Sequence, residues 1–194
     1  MWLKLIIAGL GVAVVVAVIC VGCATSRAGY ESAPFKVVKK DGKFELREYP
    51  ELVVVETPMR GADDSFMRLF RYISNQNVAT QKIPMTTPVF MSGQETNAMM
   101  AFVMPKTMSA ATTPQPTDTQ LAVKSVPPGR FAVRQFNGLR NVTNETQALG
   151  ALNVWVKTQN LQPTGSPIFG YFDPPWTLSF LRRNEVMLRV TPTK

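Results

Sequence analysis

FELREY, residues 44 to 49, returns 87 residues later as FAVRQF, residues 131 to 136. The same displacement carries Asn97, Met100, Val103 and Pro105 of NAMMAFVMPK onto Asn184, Met187, Val190 and Pro192 of NEVMLRVTPTK. Two separate stretches with one offset point to a chain of two similar halves, about residues 35–106 and 121–194. Strands are signalled by alternation: Phe44 and Leu46, then Val53 and Val55, in the first half; Phe131 and Val133, then Val186, Leu188 and Val190, in the second. A helix lies between them in each half. ADDSFMRLFRYISN sets Phe66, Leu69, Phe70 and Ile73 at i, i+3, i+4 and i+7, with Asp63 or Asp64 as its cap. The second helix is expected from about Asn144, with Asn144 and Gln147 spaced as a capping box and Ala148, Leu149, Leu152, Trp155 and Val156 as the apolar face. Residues 107–120, TMSAATTPQPTDTQ, are too rich in Thr, Pro and polar residues for regular structure and read as a connector within one domain. The expected fold is α+β: a distorted antiparallel β-barrel of two similar halves, flanked by two α-helices.

Only one such domain fits in 194 residues once the N-terminus is set aside. From Leu5 to Ser26 no residue is charged, a length that could cross a bilayer. Two readings stand: a plain membrane-anchoring helix, or a lipoprotein signal cut before Cys23, which follows the small residues Val21-Gly22. The second is preferred, with Cys23 as the lipidated residue. Residues 1–22 are then signal peptide or anchor, 23–33 a tether, and 34–194 the folded domain. Ala24, after the lipid site, lacks the acidic inner-membrane retention signal, so the expected location is the cell envelope, facing the periplasm, with the outer membrane favoured. Cys20 and Cys23 are the only cysteines, so the folded part forms no internal disulfide. Histidine is absent, which removes Ser-His-Asp and Cys-His catalysis and His-ligated zinc or haem together. A net charge of +8 favours anionic partners, yet no recognition helix or long basic run suggests nucleic acid.

Three stretches in order, YESAPFKVVKKDGKFELREYPELVVVET, KIPMTTPVFM (Lys82 to Met91) and FDPPWTLSFLRRNEV (Phe172 to Val186), resemble the SOUL family of haem-binding proteins across roughly residues 34–191. The resemblance implies a distorted barrel of two similar halves with two flanking helices, and binding of haem or another tetrapyrrole without catalysis. It also implies a porphyrin lying against the first helix and a nearby loop, which carries the expectation onto Phe66, Met67 and Phe70 with Arg68 and Arg71 beside them. A tetrapyrrole is a wide apolar plate with two carboxylates at one edge, so it needs a flat apolar surface and a few cations. With no histidine, haem would be held by apolar contact, or by Met or Tyr, and loosely.

Each choice has a structural counterpart. Phe66 and Phe70 fall on the core spacing and are expected to be mainly core. Met67 and Arg71 flank the stripe, and an adaptable thioether suits a binding surface. Pro174 and Pro175 stiffen the loop ahead of Trp176, so Tyr171 and Trp176 could wall a flat ligand while Arg182 or Arg183 meets its acid groups. The structural alternatives, which weigh more, are that Trp176 plugs one end of the barrel and that one of the arginines bridges to Glu185 or to an acidic residue in the other half. Pro84 and Pro88 confine KIPMTTPVF to an edge or bulge, where Met85, like Tyr171, stands as a candidate iron ligand. Glu45, Glu48 and Glu51 are near one another, but alternation sends Glu48 to the opposite face, and such charges are expected on the wet side of a strand. Alternatives to a haem carrier are a binding module for a lipid or quinone, or a structural envelope protein.

Overall fold

A computed structural model describes residues 29–93 and 97–193; the apolar segment with Cys20 and Cys23 lies outside the described residues. Eleven strands and two α-helices follow in the order β1 (Glu31–Ser32), β2 (Lys36–Asp41), β3 (Phe44–Tyr49), β4 (Leu52–Pro58), α1 (Ala62–Ile73), β5 (Thr86–Thr87), β6 (Val89–Ser92), β7 (Met99–Val103), β8 (Ala122–Val126), β9 (Gly129–Phe136), α2 (Val142–Thr158), β10 (Leu161–Tyr171) and β11 (Asn184–Pro192). Nine of the strands form one antiparallel sheet in the order β2-β3-β9-β11-β10-β6-β7-β4-β8, and β1 and β5 pair in parallel beside it. The fold is α+β, mostly antiparallel sheet with two helices.

Beyond the edge strand β2, the order reads alike from either end: β3, β9, β11, β10 against β8, β4, β7, β6. The leading strand of each half pairs with the second strand of the other half, β3 with β9 and β8 with β4. The two halves have therefore exchanged strands. The helices repeat as well: Leu69, Tyr72 and Ile73 on α1 are buried as Leu152, Trp155 and Val156 are on α2, at the same spacing. The 87-residue displacement does not follow this likeness, because it joins opposite faces. Phe44 packs toward α2 and Phe131 into the interior; Met100 packs toward α1 and Met187 into the interior.

Alternation sorts the apolar residues into three clusters. Val53, Val55, Met100 and Phe102 meet Leu69, Tyr72 and Ile73 under α1. Ala132, Phe136, Val186, Leu188 and Val190 meet Ala148, Leu152, Trp155 and Val156 under α2. The opposite sheet face gathers Tyr49, Leu52, Val54, Val103, Phe131, Val133 and Met187, drawn from strands well separated in the order. Such a cluster requires the sheet to curl over itself. Among the described residues the edge strands β2 and β8 do not pair with each other, and no closed barrel is seen among them.

Both helix starts differ from the capping expected. α1 begins after Gly61, whose φ of 132° suits glycine, with no side-chain cap; Asp63 and Asp64 fall inside the first turn. α2 is capped three residues before the expected position. Asn141 is extended and its Oδ1 accepts from the Asn144 amide at 2.8 Å, while the Asn144 side chain donates to the Leu139 carbonyl. Asn141→Ala is expected to cost about 1 kcal/mol, read as a lowered denaturant midpoint with unchanged slope. The connector at 107–120 is irregular, as its composition implies, but it is pinned to α1: the Tyr72 hydroxyl donates to the Pro114 carbonyl at 2.6 Å, and Asn77 bridges to Pro116. Burial pushes the Tyr72 phenol up to about 12, keeping it a donor.

Register gathers several loops at one rim of the sheet. Tyr171 at the end of β10 faces both Asn184 and Val89, and Asn184 faces Phe136. The loops after β9 and β10 and the turn into β6 therefore lie together. β1 runs beside β5, immediately ahead of β6, so the chain also enters the fold at this rim.

Candidate functional site

α1 follows from a 3.6-residue period in which Ser65, Leu69, Tyr72 and Ile73 face the sheet. One flank of this stripe carries Phe66, Phe70, Met67 and Arg71. Phe66 is half-buried and meets Phe102 edge-on with centroids 5.3 Å apart. Phe70 stacks on Phe66 at 6.1 Å with an interplanar angle of 13°, and it is 42% exposed. Met67 is 46% exposed, and Arg71 is exposed with no ion-pair partner among the described residues. Phe70, expected mainly in the core, thus lies outward, and Tyr72, which the i, i+3, i+4 template passed over, fills the core place. Arg68 is on the other flank, donating to Thr57 at 3.0 Å and pairing with Asp118 at 3.3 Å. Two exposed apolar side chains beside a guanidinium with no ion-pair partner among the described residues result.

Tyr171, Trp176 and Arg182 form a second group, on the α2 side. The Tyr171 hydroxyl donates to Glu145 at 2.5 Å, and the Arg140 guanidinium lies 5.8 Å from its ring centroid. Burial and the Glu145 carboxylate push this phenol well above its ordinary range, so it stays protonated. Trp176 is 77% exposed and plugs nothing. Arg182 clasps its own loop, donating to the carbonyls of Thr177 at 2.8 Å and of Pro175. Arg183 makes the bridge considered for the pair: its Nε donates to Glu185 at 3.0 Å. The four α1 residues share a face; these three are engaged or held elsewhere.

Sequence reasoning missed a buried ionic cluster on the inner sheet face. Arg47 is fully buried; its Nε donates to Glu45 at 2.7 Å, and its two terminal nitrogens grip Glu185 at 2.7 and 2.9 Å. Tyr49 accepts from Arg47 at 3.1 Å, and the guanidinium stacks 4.1 Å over Phe35. Glu45, expected on the wet side of its strand, is buried, whereas Glu48 on the other face is half-buried and pairs with Arg130. Burial works to raise the Glu45 pKa, but Arg47 and Lys40 together outweigh it and hold the carboxyl below its ordinary value. The bidentate grip likewise raises Arg47 despite burial. The available signal was alternation itself: once Phe44 and Leu46 face a helix, Glu45, Arg47 and Tyr49 must face inward. Beside this cluster a half-open apolar cavity of about 40 Å³ is lined by Tyr49, Leu52, Phe90, Val126, Phe131, Ile168 and Met187.

A haem can be tested against these residues. The α1 face matches a macrocycle and one carboxylate. For the iron there is no histidine, the Tyr171 oxygen is engaged with Glu145, and Met85 packs against the α1 core, which leaves Met67 as the exposed thioether of the set. The residues fit the plate well and the metal poorly. Haem, when bound, brings its own iron chemistry; the chain supplies a surface and a charge.

Known proteins agree on the fold. The C-terminal domain of EcmrR superposes with a TM-score of 0.56 at 17% identity, covering 77% of this chain and 98% of that one. A protein from Listeria innocua described as a hydrolase gives 0.58 at 10% identity, covering 79% and 94%. EcmrR in its DNA complex gives 0.58 at 16%, covering 77% and 57%. At such identities these likenesses concern the fold alone. No curated protein matches the chain. The family model for SOUL heme-binding protein matches residues 30–189, nearly all of the described fold, and the chain belongs to that family.

Proposed function

We propose that this chain binds haem or a related tetrapyrrole reversibly and without catalysis, on the outward flank of α1. The macrocycle lies on Met67 and Phe70, Phe66 backs it, and Arg71 meets a propionate. The observation that carries this reading is the exposure of two large apolar side chains on a helix whose other face is fully packed, next to a cation with no ion-pair partner among the described residues. Haem binding by the family supports it. The lack of a good iron ligand favours loose capture over a permanent redox centre. Residues 5–26 hold the domain at the cell envelope, through a lipid on Cys23 or as an apolar helix.

The test is a titration with a chain lacking residues 1–23. Haem is expected to give a saturable Soret change, and iron-free porphyrin to compete with it at comparable affinity. Phe70→Ala and Met67→Ala should each weaken binding roughly tenfold, about 1.4 kcal/mol. Arg71→Glu should weaken haem but spare a porphyrin without carboxylates. A flat absorbance response sinks the reading, and displacement by fatty acid but not by porphyrin transfers the face to a lipid.

A further inference from the structure

The rim at which the chain enters the fold carries a second apolar surface, unrelated to the α1 flank. Leu139 and Val142, after β9, and Trp176, Leu178 and Phe180, after β10, are all exposed, with Phe180 at 67%. These side chains are held out by a laced scaffold. Asn137 donates to the carbonyls of Arg182 at 2.9 Å and Phe180 at 3.3 Å, the Gly138 amide donates to Ser179 at 3.0 Å, and Asn184 donates to Gly138 at 3.0 Å. The Thr177 amide donates to Pro174 at 3.0 Å, closing the turn before Leu178, and Arg182 satisfies the carbonyls of Thr177 and Pro175. The two loops thus present tryptophan, phenylalanine and leucine while much of their backbone polarity is satisfied internally. A surface entering the apolar edge of a bilayer must meet that condition, because amides left unpaired there are costly.

We propose that these two loops form a membrane-docking surface that sinks Trp176, Leu178 and Phe180 into the interfacial layer of the bilayer. The occupant is argued from what precedes the described residues. Residues 5–26 form an uncharged apolar run, and the chain available before Glu31 is at most about 18 Å from Ser26, or about 29 Å from a lipid on Cys23. That tether brings the entry rim against whatever surface holds the apolar run. Tryptophan favours the membrane–water boundary, and the net charge of +8 suits an anionic leaflet. The proposal shares the anchored reading of residues 5–26 and is independent of haem.

The test uses the full chain in phosphatidylethanolamine–phosphatidylglycerol vesicles with and without brominated acyl chains. The tryptophans are Trp2, Trp155 and Trp176, so the difference emission between the wild type and Trp176→Phe isolates Trp176. That residue is exposed, so the substitution leaves the core intact. The difference emission is expected to be blue-shifted and to fall by roughly half or more in brominated vesicles, with less quenching in Leu178→Ser/Phe180→Ser. A chain that floats with the vesicles while Trp176 stays red-shifted, unquenched by bromine and open to aqueous iodide overturns the docking surface and leaves the patch to a protein partner. A chain that does not float overturns both this proposal and the anchor. Neither result depends on the haem titration.

Discussion

Arg47→Met is expected to lower the stability of the domain by about 3–5 kcal/mol, because it removes the buried cation that two buried carboxylates share and leaves Glu45 with only the exposed Lys40 and Glu185 with only Arg183. That is a large part of the 5–15 kcal/mol, roughly, that a domain of this size possesses. Arg47 donates to Glu45 on its own strand and grips Glu185 on β11 with two bonds, while β9 runs between those strands. The loss should appear in the denaturant midpoint, with haem binding on α1 retained in whatever fraction stays folded. A pH series separates charge from packing. In the wild type the Glu45 carboxyl is held below its ordinary value, so its contribution is present above the unfolded carboxylate range and is lost as the pH falls through the folded value. In Arg47→Met burial acts with only Lys40 opposing it, so acid relieves the unpaired charge and the deficit against the wild type narrows as the pH falls. A deficit that is constant with pH would assign the cost to lost packing over Phe35 instead.

The second large effect is Phe102→Ala, expected to cost about 3–5 kcal/mol by the cavity it leaves under α1. Phe102 is 2% exposed on β7 and supports Phe66 edge-on, and Phe66 in turn stacks under Phe70. The substitution therefore reaches the proposed tetrapyrrole face without touching its surface. Binding should weaken even in the folded fraction, because the platform loses the ring that fixes its tilt. Phe102→Leu is expected to restore much of the stability and less of the affinity. Recovery of both in parallel would mean that Phe102 acts on binding only through global stability.

Much of the architecture was legible because burial on a sheet has period two and burial on a helix has period 3.6. Val53, Val55, Leu152, Trp155 and Val156 sit where those periods put them. What the periods do not carry is which strand lies beside which: β3 and β4 are adjacent in the chain, yet each pairs with the other half, and no local pattern encodes that exchange. The α1 face was read in outline from Met67 and Arg71 flanking the stripe. Phe70 and Tyr72 changed places because a tyrosine can enter the core once its hydroxyl finds the Pro114 carbonyl, a partner 42 residues away. The inner ionic cluster escaped for a related reason. Charged residues are placed outside by default, and only the pairing of Arg47 with Glu185, 138 residues along, makes their burial tolerable.

The exchange of strands has a consequence for how the molecule comes into being. While the chain emerges from the ribosome, β4 can find β7, and β7 can find β6, but the second-half partners of β4, β3 and β6, which are β8, β9 and β10, are not yet synthesised. The first half must wait with three strand edges unprotected, those of β3, β4 and β6, a condition that invites misassociation until the second half arrives. By the same token, any truncation that removes one half strips a strand from the sheet of the other, so this family fold is made whole or not at all.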